Sequence, residues 1–62
     1  MREIGELVRL AFIAEGDRIQ TTLTHRQGYV YMRGHINTLI KFDDNRELKP
    51  VRSDLVVHNL GG

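Results

Sequence analysis

The fold is decided by residues 29–42, which read Tyr-Val-Tyr-Met-Arg-Gly-His-Ile-Asn-Thr-Leu-Ile-Lys-Phe. The even-numbered residues of this stretch, which form one parity, are mainly of the types found in a hydrophobic core: Val30, Met32, Gly34, Ile36, Thr38, Ile40 and Phe42. The other parity is largely polar, and it comprises Tyr29, Tyr31, Arg33, His35, Asn37, Leu39 and Lys41. A period of two predicts β structure with one buried face. Fourteen residues exceed a usual strand, so either the strand bends at Gly34, as in a barrel, or a turn lies near residues 35–37.

Residues 1–16 fit two structures. As a helix, they place Ile4, Leu7, Val8 and Ala11 on one stripe, with Gly16 at the position of a left-handed cap. As a strand, they place Val8, Leu10, Phe12 and Ala14 on one face. Helix propensity and the glycine favour the helix.

The remaining turn signals divide residues 17–60 into short strands. The segment containing Pro50 is expected to be an edge or irregular strand, because proline cannot donate to a sheet ladder. Residues 61–62, two glycines, are expected to fray. The prediction is a single α+β or mainly β domain. A helix over residues 1–16 precedes four to five antiparallel strands over residues 17–60, which form a small barrel or a sheet.

Composition limits the function. With 62 residues the chain forms one domain with a marginal core, so a homo-oligomer is expected. The chain has no cysteine, and its three histidines fit no standard metal motif, so we expect neither metal nor cofactor. No apolar run approaches the ~20 residues of a membrane helix, and we expect a cytoplasmic protein without a membrane partner.

The charge distribution is uneven. Residues 18–41 contain no Asp or Glu but carry four cations, namely Arg18, Arg26, Arg33 and Lys41. The rest of the chain holds five basic and eight acidic residues. This asymmetry predicts a positive face that favours an anionic partner.

The candidate binding residues are Tyr29, Tyr31, Arg33 and His35, which alternation places on one face, with Lys41 extending it. Aromatic rings stack on bases with about 1–3 kcal/mol per base, and cations contact phosphates. The alternative is that the tyrosines only pair across a half-exposed sheet. No arrangement of nucleophile, base and stabiliser is recognisable, so we expect no enzyme.

Residues 18–60, roughly two thirds of the chain, resemble the Sm-like members of the SH3-like small barrels. The matching features are a strand with Gly34 at its bend, the Phe42-Asp43 pair, and Arg52 at the position of the family's arginine, although Ser53 replaces the usual glycine. Tudor-type barrels fit the turn after Phe42 about as well. The resemblance implies a barrel-like fold, ring assembly and RNA binding with Arg52 in the contact. The alternative for Arg52 is a structural role in the turn with Asp54.

Three functions remain open from the sequence. The first is a small barrel that binds RNA or another single strand through Tyr29, Tyr31, Arg33, His35, Lys41 and Arg52. The second is a protein-interaction or regulatory module, such as a small phage or plasmid protein acting on a host factor. The third is a structural subunit of an oligomer.

Overall fold

The computed structural model describes residues 5–61, which form one antiparallel sheet of six strands. The strands are β1 Glu6–Arg9, β2 Arg18–Thr21, β3 Gln27–Met32, β4 Asn37–Phe42, β5 Leu48–Arg52 and β6 Val56–Gly61. Their order in the sheet is β1-β6-β2-β3-β4-β5, so β1 and β5 are its edges. The expectation of a mainly β, antiparallel fold is therefore confirmed.

The predicted N-terminal helix is wrong. Within the described part of residues 1–16, β1 pairs with β6 and is followed by a single 3₁₀ turn, Leu10–Phe12. The N–H of Leu10 donates to the carbonyl of Leu55 (3.0 Å), and that of Ala11 donates to the carbonyl of Ser53 (2.9 Å). These long-range bonds outweigh the weak helix propensity of the segment. Residues 1–4 of the predicted helix lie outside the described residues.

Of the two alternatives predicted for residues 17–60, the barrel is wrong and the sheet is correct, because the sheet is open. Along β5, Phe42 N–H donates to the carbonyl of Glu47 (3.3 Å) and Ser53 N–H donates to that of Ile36 (2.8 Å). The odd-numbered residues from Glu47 to Ser53 therefore turn their backbone N–H and C=O groups toward β4. The backbone groups of Pro50, an even-numbered residue, point to the free edge of the sheet. Since Pro50 has no N–H, this edge lacks its central donor. The prediction of an edge strand at Pro50 is confirmed.

The long stretch 29–42 forms two strands, β3 and β4, joined by a turn at residues 33–36. Of the two alternatives for this stretch, the turn is the correct one. Gly34 is required in it, because a Cβ at this position would lie 2.0 Å from the carbonyl oxygen of Asn37. A β-bulge between Val30 and Met32 interrupts the alternation just before the turn. Met32 (54% exposed) and Ile36 (69% exposed) are therefore not part of the core that the parity predicted.

The core lies on one side of the sheet. Its eight buried hydrophobic residues come from all the strands except β5 and from the segment after β1: Val8, Leu10, Ile13, Ile19, Val30, Ile40, Phe42 and Val57. Val51 of β5 packs against this cluster. At one end of the core the hydroxyls of Thr38 and Ser53 bond to each other (2.8 Å), and Ser53 also donates to the carbonyl of Gly34 (2.8 Å). Both residues are buried, so this short chain of hydrogen bonds ties the β3–β4 turn to the end of β5.

Candidate functional site

The side of β3–β5 that faces away from the core is called here the outer face. Register and burial assign to it Tyr29, Tyr31, Met32, Leu39, Lys41, Leu48, Pro50 and Arg52. Tyr29 stands directly opposite Lys41 on β4 and opposite Arg18 on β2. Directly opposite residues are close neighbours on one face of an antiparallel sheet. The tyrosine ring is thus placed between two cationic side chains.

The bulge in β3 brings Met32 to the outer face beside a second aromatic ring, that of Tyr31. Because Val30 pairs with Ile40 and Met32 pairs with Leu39, Tyr31 is the extra residue of the bulge. Two bulged residues oppose one residue of the neighbouring strand, and their side chains share a side. Tyr31 is half exposed (49%). Leu39 in turn pairs with Pro50, so Tyr31, Met32, Leu39 and Pro50 form an apolar row across three strands.

Arg52 lies on the same face, because it pairs with Asn37 at the far end of β4. Its guanidinium is 3.5 Å from the carboxylate of Asp54. Both side chains are largely exposed, so the pair is weak. Arg52 is therefore accessible at the opposite end of the outer face from Tyr29.

The structure does not align Arg33 and His35 with the tyrosines. Both lie in the turn after β3, where the alternation has ended. Together with Gly34 and Ala11 they line a separate shallow groove of about 460 Å³. The backbone N–H of Arg33 donates to the Glu15 carboxylate (2.9 Å). Of the six residues predicted from the sequence, four share the outer face and two lie in this groove.

Two of the four cations in the acid-free segment are neutralised by the turn between β4 and β5. Arg18 forms an ion pair with Asp43. Arg26 makes two bonds to the Asp44 carboxylate (2.9 Å each) and stacks over Phe42, 4.0 Å from the ring centre. The hydrogen bond from Arg26 lowers the pKa of Asp44, and the same bond raises the pKa of Arg26. The positive segment of the sequence is thus only partly a positive surface.

A residue that sequence reasoning missed lies beside Tyr29. Arg46 lines a shallow groove of about 430 Å³ together with Tyr29, Lys41 and Asp43. The turn holds Arg46 through its N–H bond to the carbonyl of Phe42 (2.9 Å) and gives it a left-handed backbone (φ 55°). Among residues 5–61, neither Lys41 nor Arg46 forms an ion pair. The turn was recognisable from residues 43–46, but the direction of its arginine depends on the folded turn.

The other polar clusters hold the structure together. Thr21 and Thr24 bond to each other (2.8 Å) in the turn after β2, and the Thr21 hydroxyl also accepts the N–H of Arg26 (2.9 Å).

Within residues 5–61, no three His, Asp or Glu side chains meet as a group that could hold a metal ion. In the same residues no helix has the length and apolar character needed to cross a membrane.

Comparison of the chain with protein-family models, with characterised proteins and with solved structures finds no match. The resemblance to Sm-like barrels therefore stays a prediction from the sequence, and the site must be interpreted from its own chemistry.

Proposed function

We propose that this protein is a non-enzymatic module that binds single-stranded nucleic acid through the outer face. The observation that carries the proposal is the direct pairing of Tyr29 with Lys41, with Tyr31 exposed on the same face. An antiparallel sheet that presents aromatic rings beside cations can stack bases and contact phosphates at the same time.

The spacing of the rings favours a single strand. Residues two apart on a strand are separated by about 6–7 Å, whereas stacked bases in a duplex rise by about 3.4 Å. Two successive bases can reach Tyr29 and Tyr31 only if they are unstacked from each other. Lys41 and Arg46 on one side, and Arg52 at the far end, are available for the backbone phosphates.

A protein partner is the second candidate. The apolar row of Tyr31, Met32, Leu39 and Pro50 favours it, because contiguous exposed apolar surface commonly marks a protein interface. The adjacent Lys41 and Arg46 suit a partner segment that carries acidic residues. Both candidates use the outer face. In the first, the tyrosine rings stack on bases, whereas in the second the whole apolar row packs against a protein partner.

Fluorescence anisotropy with labelled single-stranded RNA and DNA oligonucleotides tests the first candidate. We expect Tyr31→Ala to weaken binding by about 5- to 150-fold, the equivalent of one lost stacking contact, and Tyr31→Phe to retain most of the affinity. Lys41→Ala should reduce the slope of log K against log salt by about 0.7. Lys49→Ala is the matched control, because it removes the same charge from β5 where Lys49 pairs with buried Ile40, away from the outer face.

Oligonucleotides that do not bind even at large protein excess would refute the nucleic-acid proposal. The protein-partner candidate then predicts a complex that survives nuclease treatment. Met32→Asp should abolish that complex, because it places a charge in the apolar row, whereas Lys49→Ala should leave it intact.

A further inference from the structure

A second apolar feature lies on the core side of the sheet, away from the outer face. It is a pocket of about 240 Å³ between the β2–β3 loop and the segment that joins β5 to β6. Phe42, Val51 and Leu55 contribute to its mainly apolar lining, and the loop residues Thr22, Leu23 and Thr24 form one rim. Phe42 belongs to the core, and Val51 packs against it. The pocket is therefore an opening into the hydrophobic core.

Leu23 protrudes from the rim of this pocket. It is 89% exposed, the most exposed large hydrophobic residue among those described. The loop that carries it is ordered by the bond between the Thr21 and Thr24 hydroxyls and by the backbone bond from Thr21 N–H to the carbonyl of Arg26 (2.9 Å). A leucine side chain is thus held in water directly beside an apolar pocket that it does not fill.

We propose that the pocket is filled by Leu23 of a second copy of this chain, in a two-fold symmetric dimer. A protruding side chain and a pocket on one surface are self-complementary, because a single two-fold axis beside them makes both contacts at once. Each copy inserts its Leu23 and receives that of its partner. The two insertions extend both cores, which matters for a chain of this size.

The charges around the pocket are compatible with a second copy. The rim residues Thr22, Leu23 and Thr24 are uncharged. Arg26 and Lys49 also line the pocket, but Arg26 is paired with Asp44, and the inserted group is an uncharged leucine side chain. The pocket lies on the core side of the sheet, so the dimer leaves the outer face free and does not depend on the function proposed for that face.

Sedimentation velocity and equilibrium on the nuclease-treated protein, from micromolar to near-millimolar concentration, test the dimer. The wild type should show a reversible monomer–dimer equilibrium. Leu23→Asp should raise the dimer Kd at least about 100-fold, since two leucine side chains lose their burial in each dimer. Ile36→Asp is the matched control, because Ile36 is also an exposed apolar residue in a turn but does not line the pocket; it should leave the Kd unchanged.

A mixing experiment tests the reciprocal arrangement. Leu55→Lys should spoil the pocket while keeping the protruding Leu23, and by itself it should be monomeric. Mixed with Leu23→Asp, it can form one of the two contacts, so the mixture should contain a weak heterodimer that neither variant forms alone. Circular dichroism confirms that each variant is folded.

Three results would overturn the dimer. They are a monomeric wild type at the highest concentration, an unchanged Kd for Leu23→Asp, or an equal loss of dimer for Ile36→Asp. An apolar small molecule or a peptide that fills the pocket of a purely monomeric wild type would assign it to another occupant. None of these results alters the anisotropy experiment on Tyr31 and Lys41, so the two proposals can fail separately.

Discussion

Replacement of Ser53 by alanine tests the buried hydrogen-bond chain that joins the β3–β4 turn to the end of β5. Because the Ser53 hydroxyl donates to the carbonyl of Gly34, the Thr38 hydroxyl must be the donor in the Thr38–Ser53 bond. Ser53→Ala removes both bonds. Thr38 is fully buried, so water cannot replace its lost partner, whereas the Gly34 carbonyl is only partly buried.

An unsatisfied buried donor costs about 1–3 kcal/mol and a lost hydrogen bond about 1 kcal/mol, so Ser53→Ala should lower the free energy of unfolding by about 2–4 kcal/mol. That is a large part of the ~3–9 kcal/mol expected for a domain of this length, and it corresponds to a fall in Tm of about 8–32 °C.

Urea denaturation followed by circular dichroism measures this free energy. The denaturant dependence (m) should not change, because the surface exposed on unfolding is the same. Thr38→Val removes the orphaned donor, so the double variant Thr38→Val/Ser53→Ala should lose less stability than the sum of the two single variants. A loss below about 0.5 kcal/mol for Ser53→Ala, the range of ordinary surface substitutions, would show that the hydroxyl chain does not hold the turn.

Two further predictions concern charge and the sheet edge. Arg26 lowers the pKa of Asp44 in the folded state, so the pair stabilises the protein above the ordinary Asp pKa of about 3.9 and loses this effect as pH falls through the lower folded pKa. The urea midpoints of the wild type and Asp44→Asn should therefore differ near neutral pH and converge in acid. A difference that stays constant with pH would contradict this prediction. Pro50→Thr gives the free edge of β5 its missing N–H, so we expect greater aggregation, measured by light scattering at high concentration; unchanged scattering would show that another feature protects the edge.

The sequence predicted much of the β structure, because the period of two is a local property. Val30, Thr38, Ile40 and Phe42 are all buried as their parity indicated. The edge position of Pro50 followed from its missing N–H alone. The helix prediction failed at Val8 and Leu10, because their partners Val57 and Leu55 lie more than 40 positions away along the chain. A local pattern contains no information about such pairing.

The candidate site was predictable only in part, for the same reason. Tyr29 and Lys41 were assigned to one side of the sheet from alternation, and their register places them opposite each other. The bulge at Tyr31 could not be foreseen, and it is the reason that Met32 reaches the outer face while Arg33 and His35 do not follow. Arg18 and Arg26 are neutralised by carboxylates of the turn between β4 and β5, which lies beside them only in the folded protein. The net positive charge of residues 18–41 therefore overstates the positive charge of the surface that they form.

The amino-acid sequence by itself determined that short segments after residue 17 form strands around one core, because burial with a period of two and the chemistry of glycine and proline act over a few residues. Tertiary structure alone decided the register between strands, the open sheet, the partners of the arginines and the placement of Leu23 beside an apolar pocket. These depend on contacts between residues far apart in the chain, and only the packing of the whole domain selects among them.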